Sequence, residues 1–229
     1  MNHNKFLSRK QSGFTLVEIA IVLVIIGLLL GGVLKGQEMI ENARIKSVVG
    51  DMNGISSAYN SYVDRYHAIP GDEAAATLTA RGWTGAAGSA TPNGVLQITP
   101  ANVFLNGDEE PTLWRSLRGA GMVAGDPAAA ATAAGLPVSG TGGLLGVGVG
   151  AYGLTGPVVC ASGLSTKQAL GVDTTIDGPL PATNIGNNIG NARGANGAAN
   201  PLAPAPGVPG GVAYNTTTVV NRWTMCRSL

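Results

Sequence analysis

The chain has 229 residues, of which 45% are hydrophobic and 12% charged, and its formal net charge is +1 at pH 7. A balance this close to neutrality argues against a nonspecific nucleic-acid-binding surface, while leaving local basic patches open. G-x-S-x-G, H-E-x-x-H and phosphate-loop patterns are absent, and with them the common hydrolase, zinc-protease and nucleotide signatures.

The first element is a short basic leader. Residues 1–13 contain Lys5, Arg9 and Lys10 with no acid and end in Gly13. From Phe14 to Leu34 every side chain is apolar or small except that of Glu18. As a helix this run spans roughly 31 Å, the thickness of a bilayer core. The positive-inside rule keeps the leader in the cytoplasm and exports the remainder of the chain. Lys35-Gly36-Gln37-Glu38 stands where a secretory signal peptide would show small residues, so the apolar segment is retained. A plain signal anchor is the alternative.

A carboxylate at membrane depth costs on the order of 2.5–3.5 kcal/mol, so Glu18 calls for a partner. The string Gly13-Phe14-Thr15-Leu16-Val17-Glu18 resembles the prepilin signature of type IV pilins and type II secretion pseudopilins. The resemblance implies cleavage between Gly13 and Phe14, N-methylation of Phe14, and an assembly role for Glu18. It implies a prepilin peptidase/methyltransferase and other pilin or pseudopilin subunits as partners. Cleavage would expose an α-amine on Phe14, one helical turn from Glu18. That amine is able to meet Glu18 of its own chain or of a neighbour. Removing the leader also takes the net charge to −2, with 11 bases against 13 acids.

The next element is a stem. Ile45, Val48, Met52, Ile55, Tyr59, Tyr62 and Tyr66 recur in steps of three and four, the single apolar seam of an amphipathic helix. Ile69-Pro70-Gly71-Asp72 stops it, which predicts one helix from Phe14 to near Ala68. The seam buries against the chain's own C-terminal part, or else forms a coiled coil. Gly27, Gly31, Gly32 and Gly36 permit either close helix approach or local unwinding.

Beyond the stem the chain is rich in glycine, with 28 of its 35 glycines at residue 71 or later. This composition favours turns and short strands. Asp108-Glu109-Glu110-Pro111 opens a helix whose buried face is Leu113, Trp114, Leu117 and Met122. Strands are expected at Val95–Thr99, Pro157–Cys160, Val212–Tyr214 and Thr217–Trp223, and mobile surface loops at 127–135 and 186–211. Three further stretches, 66–72, 113–125 and 167–178, resemble prepilin-like proteins more loosely.

Cys160 and Cys226 both fall in the exported part, where an even pair reads as a disulfide, with two buried thiols as the alternative. Asp173, Thr175 and Asp177 place oxygens at positions 1, 3 and 5 before Gly178, like the start of a calcium loop. The twelfth position is Asn184 rather than glutamate, so Asp173 and Asp177 are either Ca²⁺ ligands or part of an Asp-rich turn. Gly148-Val-Gly150-Ala-Tyr-Gly153 matches G-x-G-x-x-G without a βαβ frame, and no nucleotide site is inferred.

The expected fold is α+β: a long N-terminal helix on a small, Gly-rich, antiparallel β domain. The expected divisions are leader 1–13, transmembrane helix 14–34, amphipathic stem 35–70 and exported domain 71–229. The expected function is a non-enzymatic structural subunit of a type IV pilus-like filament or type II secretion pseudopilus, without a required cofactor and without nucleic acid as partner. It would sit as a single-pass inner-membrane protein with a periplasmic domain before polymerising. The alternative is a membrane-anchored periplasmic binding or enzymatic domain that shares only the N-terminal segment.

Overall fold

The structure is a computed structural model that describes residues 13, 15–83, 88–105, 107–127, 135–214 and 222–229. Helix α1 runs Leu16–Tyr66, α2 Ala75–Ala80, α3 Glu110–Gly119 and α4 Thr166–Asp177. Strands β1 Leu145–Val149, β2 Pro157–Leu164, β3 Ala192–Gly197 and β4 Arg222–Ser228 form one antiparallel sheet in the order β1-β2-β4-β3. The α+β expectation is borne out. The chain divides into two compact units between Glu41 and Asn42.

In the first unit the stretch of α1 from Leu16 to Leu34 is apolar on every face apart from Glu18, and it stays exposed. Among the described residues α1 is the one helix long and apolar enough to cross a membrane. Lys35 and Glu38 close the apolar stretch with a 2.9 Å ion pair exposed on both sides, worth only about 0.3–0.5 kcal/mol. Gly27, Gly31, Gly32 and Gly36 all lie within the unbroken helix α1 of the single chain.

In the second unit the seam does what its spacing dictates. Ile45, Val48, Met52, Ile55, Tyr59 and Tyr62 are all buried in the one hydrophobic core, with Tyr66 packed against it. Polar contacts also fix the stem: Arg227 donates to Asn53 Oδ1 at 2.5 Å and to Ser56 Oγ at 3.3 Å, and Gly140 N donates to Asp51 Oδ2. At the helix end the buried Tyr62 hydroxyl donates to Glu73, which pairs with Arg81 at 2.7 Å. The Arg81 guanidinium lies 4.5 Å from the Tyr66 ring centre, a cation–π contact. α1 gives way at His67, whose φ of 51° leaves the helical region just ahead of Ile69-Pro70.

The next turn is a joint. Asp72 is buried and accepts from the backbone N–H groups of Asn93 and Gly94. Gly71 has φ of 104°, and a Cβ there would sit 3.0 Å from Leu96 and 3.1 Å from Leu113, so only glycine fits this crossing. Leu113, Trp114 and Leu117 of α3 are fully buried and Met122 is half-buried, as its apolar face predicts. Glu110, Thr112, Ser116 and Arg118 are buried as well, so α3 is enclosed except along the half-buried edge of Pro111, Arg115 and Gly119.

The strands depart most from expectation. β2 begins at Pro157 as predicted but continues to Leu164. Val95–Thr99 is not a strand, although Ile98 O accepts from Val149 N at 2.9 Å beside β1. Val212–Tyr214 is irregular, and of the expected strand Thr217–Trp223 residues 217–221 lie outside the described residues; β4 starts at Arg222. The loop expected over 186–211 contains β3, and residues 128–134 of the other expected loop lie outside the described residues. β1 and β3 lack a strand signal for one reason: glycine occupies positions where alternation would show a hydrophobe. A Cβ on Gly146 or Gly148 would collide with Val103, so the small residue is what lets the strand approach its neighbour.

Candidate functional site

Thr15 caps α1. Its backbone N–H and its hydroxyl both donate to Glu18 Oε2 at 2.8 Å, and Glu18 N donates to Thr15 Oγ1 at 3.3 Å. This is a reciprocal capping box, readable in advance as Thr-x-x-Glu before an apolar run. A reading of Glu18 purely as the partner of an amine misses Thr15. The cap gives Glu18 an occupant for one oxygen within its own chain; Oε1 takes no part in it. Gly13 is exposed, and Phe14 lies outside the described residues.

From Leu16 to Leu34 the helix offers nothing but exposed apolar surface around this one acid, with Leu16 at 91% and Leu28 at 74% exposure. A bare apolar helix of this kind is stable in lipid or against other apolar helices, and not in water. Gly27, Gly31 and Gly32 have no neighbour within 4 Å of a would-be Cβ, which leaves shallow places on the helix where another backbone is able to approach.

In the second unit Cys160 and Cys226 form a disulfide between directly opposed residues of β2 and β4. It ties the C-terminal strand into the centre of the sheet.

Asp173 and Asp177 lie on α4 rather than in a loop. A capping box at Ser165 and Gln168 starts this helix, and Gly178 ends it. The calcium-loop pattern therefore does not adopt a loop: on a helix, positions 1 and 5 share a face and position 3 points elsewhere. The Thr175 hydroxyl donates to Gly171 O at 2.6 Å. Asp177 accepts from Asn191 N at 2.9 Å and Ala192 N at 2.7 Å, which anchors the start of β3. Asn184, the twelfth position, instead donates to Tyr214 O. Among the described residues no group of three or more His, Cys, Asp or Glu suited to a metal occurs. The G-x-G-x-x-G stretch runs from the end of β1 into a single 3₁₀ turn at Ala151–Gly153, with no helix N-terminus to hold a phosphate.

Residues 8–34 match the family model described as the prokaryotic N-terminal methylation motif, the hallmark of prepilin-type proteins of type IV pili and pseudopili. The resemblance carried by Gly13 to Glu18 is thus borne out over this N-terminal segment. No curated protein and no solved structure matches the chain.

Proposed function

We propose that this chain is a structural, non-enzymatic subunit of a type IV pilus-like filament or type II secretion pseudopilus. A prepilin peptidase removes residues 1–13, the new Phe14 amine is methylated, and residues 14–34 anchor the subunit in the inner membrane. The stem, 35–70, and the domain from residue 71 onward stand on the periplasmic side until assembly lifts the helix out of lipid.

The observation that supports this reading is the coincidence of the matched motif with an apolar helix that leaves all its sides exposed around a single acid. A membrane anchor needs the apolar surface but not the acid. A filament needs both: the surface packs against other stems, and the acid pairs with a cation that lipid does not offer. In the free subunit the Thr15 cap shelters one Glu18 oxygen. On docking, a neighbour's Phe14 amine takes the carboxylate and fixes the axial register. The basic leader has to go first, because Lys5, Arg9 and Lys10 would be buried without counter-charges in the apolar filament core.

The test is Glu18→Ala. Membrane insertion and leader removal should proceed as in the wild type, while incorporation into filaments should fall at least about tenfold, the effect of losing roughly 1.4 kcal/mol or more per contact. Filaments that accept the variant at wild-type levels would remove the register role and leave a plain anchor.

A further inference from the structure

Val95–Thr99 has the composition of a β-strand, and Ile98 O accepts from Val149 N of β1 at 2.9 Å. β1 is the outer strand of the sheet, so this segment extends its edge. Leu96 and Ile98 are buried, at 3% and 1% exposure, while Val95, Gln97 and Thr99 face solvent. With Ile98 turned to β1, the N–H groups of residues 95, 97 and 99 point the other way. A row of that kind is what a further strand pairs with. A groove of about 400 Å³, lined by Gln97, Thr99, Asp108 and Val149 among others, leaves the segment reachable from solvent.

All three N–H groups are already taken by side chains. Val95 N donates to Asn93 Oδ1 at 2.9 Å, Gln97 N to Glu109 Oε2 at 2.6 Å and Thr99 N to Asp108 Oδ2 at 3.1 Å. The Asn93 bond is local and exposed, so the two acids hold the edge. Asp108 also accepts from Asn102 Nδ2 at 2.7 Å and from the Thr99 hydroxyl at 3.0 Å. These bonds, that of Asn102 first, keep its carboxyl below the usual range. An ionised carboxylate only accepts, and it has nothing to offer the carbonyl groups of an arriving strand. Neither acid serves α3 in the way its place in the sequence suggests. Glu109 stands at the N-cap and makes no cap hydrogen bond with its side chain. Asp108 has φ of 52°, a left-handed conformation that is uncommon for a residue with a side chain. Both are turned back onto the segment beside β1.

We propose that Asp108 and Glu109 plug the outer edge of Val95–Thr99, and that without them this edge pairs with the same segment of a second copy. A second copy fits because an antiparallel pair about a two-fold axis is self-complementary. With the axis at Gln97, each Gln97 lies opposite its equal and each Val95 opposite a Thr99. Residues 95–99 carry no charge to oppose that pairing. The plug opposes it by occupying the N–H groups and by setting a carboxylate where the second backbone would lie. Pro100 confines the pairing to this one segment.

The test compares full-length chains in detergent by analytical ultracentrifugation. The double variant Asp108→Ala with Glu109→Ala should self-associate at least about tenfold more tightly than wild type. Asp108→Asn with Glu109→Gln keeps an acceptor oxygen at each position and should stay at the wild-type value. Thr99→Pro removes an edge N–H outright, and residue 99 already has φ of −64°, the proline value. Added to the alanine pair, Thr99→Pro should restore wild-type association, a rescue that simple loss of folding would not show. Gln97→Cys in the alanine pair should form a disulfide between copies under oxidation, since opposed residues bring their Cβ atoms to about 4.5–5.5 Å. Non-reducing electrophoresis reads that link, and Thr99→Pro should abolish it. Wild-type association of the alanine pair, or association that persists after Thr99→Pro, would overturn the plug. Association without the Gln97→Cys link would overturn the two-fold pairing.

Discussion

Glu110 shows how one residue biases the whole fold. It opens α3, is fully buried, and its carboxylate oxygens have no hydrogen-bond partner among the described residues. Burial pushes it up to about 8, with Trp114 and the Arg118 charge opposing. Asp173 is shifted the same way. A carboxyl raised in the folded state binds its proton more tightly there than in the unfolded chain, where it titrates near 4. The stability it contributes is therefore highest at acid pH and is lost as pH rises from about 4 through about 8. Glu110→Gln should raise the melting temperature at pH 8 by several degrees, from about 1–3 kcal/mol at roughly 2–4 °C per kcal/mol, and change little at pH 5. A thermal melt at both pH values checks it, and equal shifts at the two would contradict the assigned ionisation. The burial of these acids was invisible in the sequence. Glu110 comes after two other acids and reads as an exposed first turn, and only the packing around its side of α3 shows otherwise.

Among the elements, α1 separates into two kinds of surface along a single helix. Met39 is 64% exposed and Met52 is 0% exposed. Met52→Ala should cost about 2–5 kcal/mol in urea unfolding of the detergent-solubilised subunit. Met39→Ala should stay within about 0.5 kcal/mol. Equal losses would mean that the seam is not the packing face. The disulfide is the second element-scale support. It closes a separation of 66 residues across β2 and β4, which the chain-entropy model rates at about 4 kcal/mol. Reduction should lower the urea midpoint accordingly, and an unchanged midpoint would show that the sheet holds without it. The helices were legible where spacing was regular: the seam from Ile45 to Tyr66 and the apolar face of α3. α4 was announced by Ser165-x-x-Gln168, but the Asp173 to Gly178 pattern at its other end mimics a loop and masks it. β1 and β3 were hidden by their glycines.

At the scale of the molecule, the chain is a membrane-compatible helix continuous with a stem whose seam is buried in a disulfide-tied domain. The proposed processing gives a direct check: mass spectrometry of protein from the membrane or filament should find a mature N-terminus at methylated Phe14. Retention of Met1 to Gly13 in the working assembly would deny Glu18 its proposed partner. The apolar run, the lone acid, the seam and the cysteine pair were all readable from the chain. They are local patterns of hydrophobicity and spacing, which act on each residue whatever surrounds it. Which strands the cysteines join, which acids lose their water, and where glycine replaces a core side chain depend on segments far apart in sequence meeting in space. Val103 against Gly146, Asp177 against Asn191 and Ala192, and Gly186 before Asp173 exist only after folding. Desolvation and close packing are properties of that encounter, and no single stretch of sequence carries them.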